Sequence, residues 1–290
     1  MQQFSSDRLA RPDYIAIPRY SDGVRSEVEL SDNTNQWGMP PAAAAALRER
    51  VPISGYPDMY ADSLKRTVAT LAGIGPECVV TGNGSDDIID CAIRAFAAPG
   101  ERIAHPDPTF LMVPIFARIN SVVPVPVPLT ASYEMDADAL LATEARIIYL
   151  CTPNNPTATA TPYDAIRKVI AHAPGIVILD EAYAEFAGEV GLLAEAPALE
   201  RVLVCRTMSK AYGLAGLRVG YATASPRIVE NVEKSRGPFK VNAVGERIAV
   251  VALTSDRDWV AARADEAIWN RDRLAAELRA LALDPLPSAT

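Results

Sequence analysis

The sequence predicts an α/β protein built on a mostly parallel sheet with helices on both faces, followed by an incomplete second domain. Three observations carry that prediction. Continuously apolar runs such as ARIIYLC (145–151), GIVIL (175–179) and RVLVC (201–205) read as strands buried on both faces. Segments of helical period separate such runs, which is the alternation of a parallel sheet. Polar loops follow the runs at their carboxyl ends, where open α/β sheets bind ligands.

Residues 1–36 are irregular and polar, with Pro12, Pro18 and Gly23, and read as an arm. Pro40-Pro41 opens an alanine-rich helix running to Arg50, since proline is tolerated in a first turn. Gly55-Tyr56-Pro57-Asp58 is a turn in which Asp58 can cap a helix ending at Ala72. CVVTG (78–82) is a strand, 85–97 a helix with an acidic first turn, ERIAH (101–105) a strand and Thr109 to Arg118 a helix. VVPVPVPL (122–129) is extended, and its prolines confine it to a sheet edge or bulge. The buried runs at 145–151 and 175–183 flank a helix from Tyr163 to His172. Strands at 201–209 and 217–224 follow, then helices at 226–235 and 243–254. From Asp258 to Leu283 the pattern is helical with mixed charge. A composition change near Ser255-Asp256 separates a large domain, 37–255, from the start of a smaller one, 256–290.

The 290 residues suffice for one large α/β unit with a partial second domain. Asp and Glu number 36 against 28 Lys and Arg, a net charge of −8. No basic excess is available for a nucleic-acid backbone or an anionic membrane surface. No apolar run approaches the roughly 20 residues of a membrane span. The opening MQQFSSDRLARPDYIAI lacks the apolar core of a secretory signal. Cys78, Cys91, Cys151 and Cys205 form no C-x-x-C pair, and with only two histidines no zinc site is expected. The cysteines read as small buried hydrophobes in a reducing compartment, and the chain as cytoplasmic.

The chemistry-bearing residues lie just after the apolar runs. Gly82-Asn83-Gly84-Ser85-Asp86 is a glycine turn opening a helix, which offers free N–H groups to an anion. It reads equally as an ordinary strand–helix turn. It is not a P-loop, because the G-x-x-x-x-G-K-[ST] spacing is absent, nor a dinucleotide fingerprint, because G-x-G-x-x is followed by Asp87 and not by glycine. Asp180 ends a buried strand, where a carboxylate needs a partner. That partner is a following helix start or a buried cation such as a protonated ring nitrogen. Lys210 follows the next strand; a lysine is usually a solvated surface group, but an amine there, near cations and partly desolvated, can have a lowered pKa and form a Schiff base. Arg218 beside it can clamp a phosphate in a fork. With the amide of Asn155, these parts describe a pyridoxal phosphate site.

The strings LSDNTNQWGMPP, GYPD, GNGSDD, DPTF, CTPNNPT, ILDEAYAEF and RTMSKAYGLAGLRVGY, in this order from Leu30 to Tyr221, resemble the fold-type I pyridoxal-phosphate aminotransferases, specifically the histidinol-phosphate aminotransferase group. The resemblance implies a three-layer fold with a mostly parallel mixed sheet and a role in amino-acid biosynthesis. It implies that Lys210 bonds the cofactor and later moves the reacting proton, and that Asp180 keeps the pyridine nitrogen protonated. Asn155 and Tyr183 would hydrogen-bond the ring oxygen and Phe110 would stack on the ring. Ser85 and Asp86 would offer backbone N–H groups to the phosphate, with Thr207, Ser209 and Arg218 completing the cradle. Tyr56 would reach the phosphate of a neighbouring subunit, implying a two-fold homodimer. Tyr20 and Asn33 match positions on the substrate side. The implied substrates are an amino donor, histidinol phosphate or an aromatic amino acid, and a 2-oxo acid such as 2-oxoglutarate. An amino-acid-phosphate decarboxylase on the same scaffold and a cofactor-binding chain without turnover are the alternatives.

Several positions depart from the family pattern. Relatives read N-E-N-P where this chain has Asn33-Thr34-Asn35-Gln36, and DPTFLMVP lacks a second aromatic residue. Ala158 replaces a glycine, which predicts an altered loop, because alanine disfavours the turn conformation that glycine permits. LDPLPSAT resembles the entry to the family's small-domain strand, beyond which relatives carry the arginine for the substrate α-carboxylate. The resemblance assigns that role to no residue here, so either the chain is truncated or another group substitutes. Weak turnover, poor carboxylate selectivity and an exposed apolar face over 256–290 are therefore expected.

Overall fold

A computed structural model describes residues 9–17, 27, 30–188 and 191–290. Its centre is a seven-stranded sheet ordered β1-β7-β6-β5-β4-β2-β3. The strands are β1 (Val79–Gly82), β2 (Arg102–Asp107), β3 (Val123–Pro128), β4 (Ile147–Cys151), β5 (Ile176–Asp180), β6 (Val202–Thr207) and β7 (Gly220–Thr223). Only β7 runs against its neighbours, so the sheet is mixed and mostly parallel.

The two-residue period of the strands sorts side chains onto two faces. Ile147, Tyr149, Ile178, Leu203 and Cys205 share one core cluster with Ile88, Ile89 and Ile93 of helix α4 (Ser85–Phe96) and Val229 of α9 (Pro226–Ser235). Ile148, Leu150, Val177, Leu179 and Val204 face the other way, onto α6 (Ala137–Ala142) and α7 (Tyr163–His172). A third cluster joins α2 (Pro41–Leu47), α3 (Asp62–Ala72) and α10 (Ala243–Ser255) over Val219 and Tyr221. Short helices α1 (Pro12–Ile15) and α8 (Ala184–Ala187), α5 (Met112–Ile119) and the long α11 (Arg257–Ala280) complete the chain. On and after α11, Trp269, Leu274, Leu281 and Leu283 are exposed.

The proline-rich run forms β3 at the sheet edge. Val123 N donates to Glu101 O at 2.8 Å and Leu129 N to Asp107 O at 3.1 Å, so the odd-numbered residues face β2. Pro124, Pro126 and Pro128 alternate with them and turn their missing donors outward.

One helix start differs from the sequence reading, whereas α2 opens at Pro40-Pro41 as the sequence predicts. Helix α3 begins at Asp62, not beside Asp58, and its N-cap Ala61 has a left-handed backbone and no side-chain cap. The buried Glu246 supplies the acceptor instead, taking Ser63 N at 3.1 Å. Helix α2 starts behind Pro40, which has no capping side chain. Buried Asp256, where the sequence suggests a boundary, accepts Ala42 N and Ala43 N at 2.9 Å each. Helices α6 and α8 have no counterpart in the sequence reading. Asp136 caps α6 by accepting Ala139 N at 2.9 Å.

Candidate active site

A cavity of about 450 Å³ opens at the carboxyl ends of β4, β5 and β6, on the face that carries Tyr149 and α4. Asp180, the last residue of β5, points into it, although it is 3% exposed. Its Oδ2 accepts from the Tyr149 hydroxyl at 2.8 Å and its Oδ1 from Ala182 N at 3.0 Å. Burial pushes its pKa up to about 6, against these two donors, which favour the ionised form. The local turn and the functional orientation thus coexist: one oxygen closes the backbone turn while the carboxylate faces the cavity.

Lys210 lies across the cavity, after β6. Its Nζ donates to Asp32 O at 2.7 Å and sits 5.7 Å from the centre of the Tyr183 ring. Burial lowers its pKa; Asp32, Asp86 and Asp180 oppose that shift. The Tyr183 hydroxyl accepts from Asn33 Nδ2 at 3.2 Å, and burial raises its pKa to about 12. Phe110 and Asn155 line the walls.

The third group surrounds the start of α4. Gly84 precedes Ser85 with φ +83°, and no side chain caps this helix. A Cβ on Gly84 would stand 2.5 Å from Arg218 Nη2, so the glycine leaves space where the free N–H groups and the guanidinium converge. Arg218 Nη2 donates to Asp86 Oδ2 at 3.1 Å and Nη1 to Ser209 Oγ at 3.4 Å. Thr207 Oγ1 accepts Ser209 N at 3.1 Å, fixing the turn that leads to Lys210.

The donor set fits a phosphorylated pyridine aldehyde. An uncapped helix start with Arg218 and two hydroxyls suits the dianion. A buried, reluctant carboxylate suits a protonated ring nitrogen, and a partly desolvated amine suits a carbonyl carbon.

Of the residues singled out by sequence, Ser85, Asp86, Phe110, Asn155, Asp180, Tyr183, Thr207, Ser209, Lys210 and Arg218 line this one cavity. Asn33 borders an adjoining cavity of about 360 Å³ that shares Thr34, Asn155, Tyr183 and Lys210 with the first. Tyr56 is elsewhere, 86% exposed, its ring stacked on Phe239 with centroids 4.7 Å apart. Tyr20 lies outside the described residues. Sequence reasoning missed Tyr149, Asp32 and Thr34. Tyr149 carried a signal, because a tyrosine inside a wholly buried strand needs a partner for its hydroxyl. Asp32 contributes only its carbonyl, which no side-chain pattern reveals.

Ala158 adopts the left-handed conformation, at φ +54°, that alanine disfavours and glycine permits. Asn154 holds it: Asn154 O accepts Ala158 N at 2.7 Å, and its side chain bonds Thr109, Thr157 and Pro108 O. Among the described residues no helix is long and apolar enough to cross a membrane, and no group of three or more His, Cys, Asp or Glu side chains is placed to hold a metal.

A family model described as aminotransferase class I and II matches residues 25–290. A histidinol-phosphate aminotransferase of Thermoanaerobacter sp. (strain X514) is 34% identical over 258 residues, 86% of this chain and 73% of the relative. An aromatic amino acid aminotransferase of Mycobacterium tuberculosis (strain ATCC 25177 / H37Ra) is 34% identical over 292 residues, covering 96% and 82%. Among solved structures, the histidinol-phosphate aminotransferase of Sinorhizobium meliloti in complex with pyridoxal-5'-phosphate superposes with a TM-score of 0.83 at 27% identity, covering 89% of this chain and 72% of that one.

Proposed function

Since the chain belongs to the class I and II aminotransferases and is a pyridoxal-phosphate-dependent transaminase, we propose that it moves the amino group of histidinol phosphate, or of an aromatic amino acid, to a 2-oxo acid such as 2-oxoglutarate. The observation that carries this reading is the opposition of Lys210 and Asp180 across one cavity, in a chain whose similar proteins bear those two names.

When bound, pyridoxal phosphate supplies an electron-withdrawing ring that stabilises negative charge developing on the carbon being deprotonated. The chain's own residues do the rest. Lys210 holds the cofactor through its amine, then, once displaced by substrate, takes and returns the proton. Its lowered pKa favours the free amine that both tasks require. Asp180 keeps a proton on the ring nitrogen, and Tyr149 holds its carboxylate in the reactive orientation. Tyr183 and Asn155, which line the cavity, would hydrogen-bond the ring oxygen, and Phe110 would pack on the ring. The N–H groups of Ser85 and Asp86, with Thr207, Ser209 and Arg218, would bind the phosphate. Asn33 acts on the substrate side through its bond to the Tyr183 hydroxyl. In this reading the working unit is a cytoplasmic homodimer, with exposed Tyr56 reaching the partner's phosphate site.

The test is a visible absorbance spectrum of the chain with pyridoxal phosphate, before and after histidinol phosphate or phenylalanine, with glutamate formation followed in the presence of 2-oxoglutarate. The lysine-bound band is expected in the parent and absent in Lys210→Ala. Donor-dependent loss of the band with glutamate formation supports the reading. Carbon dioxide release instead identifies the decarboxylase alternative, and a band that neither donor changes overturns the assigned donors.

A further inference from the structure

The residues beside Asp180 and Thr207 in the chain form a second construction on the opposite face of the sheet. Strand alternation turns Glu181 away from Asp180 and Arg206 away from Thr207, so neither Glu181 nor Arg206 lines the cavity. Glu181 is fully buried, and all its acceptor capacity is engaged. Its Oε2 accepts from Arg206 Nε at 2.9 Å and Nη2 at 2.8 Å. Its Oε1 accepts from Leu192 N at 2.8 Å and from the Tyr163 hydroxyl at 3.1 Å. A Cβ on Gly191 would stand 2.2 Å from Oε2, so a glycine makes room for the carboxylate. The Arg206 fork also reaches Glu185 Oε1 through Nη1 at 3.2 Å.

These contacts tie two strand ends together. Glu181 is the first residue after β5, and its N–H donates to Cys205 O of β6 at 3.0 Å. Its carbonyl accepts Ala184 N at 3.1 Å, closing the turn that carries Tyr183. Arg206 precedes Thr207 and the turn to Lys210. A displacement of either strand end therefore moves Asp180 and Tyr183 against Lys210. Burying so many charged and polar groups contributes little to stability, whereas a completely satisfied buried network fixes one geometry.

We propose that Glu181, through its ion pair with Arg206, is a positioning residue that sets the separation and orientation of Asp180 and Tyr183 relative to Lys210. This rests on the proposed catalytic cavity.

The test compares the cofactor-loaded full chain with Glu181→Gln, Arg206→Lys and Glu185→Gln. The readouts are the pH midpoint of the lysine-bound absorbance band, kcat and KM. Glutamine keeps the size of Glu181 and loses the charge. Lysine keeps the charge of Arg206 and loses the fork, which serves if Glu181→Gln does not fold. Both variants are expected to lower kcat about tenfold with KM within about twofold, as outer supports of a reacting group do. Both should also shift the pH midpoint by about half a unit or more, since orientation of the groups around Lys210 sets it. Glu185→Gln, which touches the same guanidinium but lies outside the 180–183 turn, should leave both readouts near the parent's. A parent midpoint and parent kcat in Glu181→Gln or Arg206→Lys overturn the positioning role while leaving the cavity assignment intact. Equal effects in Glu185→Gln also overturn it, because the role would then be general support of Arg206. A parent chain without a lysine-dependent band overturns both readings.

Discussion

The Tyr149 hydroxyl donates to Asp180 Oδ2 at 2.8 Å, and both side chains are closed off from water. The phenol belongs to β4 and the carboxylate to the adjacent β5, so the sheet itself orients the group proposed to face the ring nitrogen. In Tyr149→Phe the carboxylate loses a donor that favours its ionised form, so the Asp180 pKa rises further, by about one unit for a hydrogen bond of this class. Cofactor binding needs the ionised carboxylate, and its affinity should weaken as pH falls through the Asp180 pKa near 6. The acid limb of a binding titration should move up by about one unit in Tyr149→Phe. An unchanged limb would detach Tyr149 from the site.

Asp180→Asn tests the same carboxyl through stability. Burial raises its pKa from 3.8 to about 6, so between these values the native cofactor-free chain holds a proton that the unfolded chain has released. Stability from this group is then present at low pH and is lost as pH rises through the window. The stability of the cofactor-free parent relative to Asp180→Asn should decline by roughly 2 kcal/mol between pH 4 and 7. Denaturant unfolding at several pH values measures the gap, and a gap that widens in the parent's favour contradicts the buried carboxyl.

Gly84→Ala addresses the phosphate end. The substitution strains a backbone at φ +83° and drives a methyl toward Arg218 Nη2, 2.5 Å away. Pyridoxal phosphate affinity should fall about tenfold or more. Pyridoxal, which lacks the phosphate, should bind the variant and the parent alike. Equal losses for both ligands would place the phosphate elsewhere.

Ala158→Gly should stabilise the chain by up to about 1 kcal/mol, because a left-handed alanine costs more than the extra freedom glycine gives the unfolded chain. Both backbone bonds of residue 158, to Asn154 O and from Ala289 N, survive the change. A lower thermal midpoint would mean that the alanine methyl makes contacts outweighing its strain.

Apolar continuity made β4, β5 and β6 legible in the sequence, and the polar residues after each were legible as one cluster because parallel strands end on one side. The prolines of β3 limited it to an edge or a bulge, and it lies at the edge. What the sequence hid was mostly long-range capping. The N–H groups of α2 and α3 find their acceptors on Asp256 and Glu246, some 200 positions away, and no local pattern encodes such a partner. The short α6 and α8 fell below the length at which helical period can be read. Glu181 carried no signal of its own in the sequence; strand alternation turns it from the cavity that Asp180 faces and locks it to Arg206.

The prolines of β3 have a consequence for the company this protein keeps in concentrated solution. A sheet margin normally displays a row of donors and acceptors that any extended peptide can zip onto. On this margin the three outward positions carry pyrrolidine rings in place of donors. A foreign strand would meet carbonyls and ring carbons but almost no N–H groups, and could not build a ladder. The flank is thereby protected against intermolecular β-assembly and amyloid-like growth, and restoring outward donors with Pro124→Val and Pro126→Val should appear as faster aggregation by light scattering.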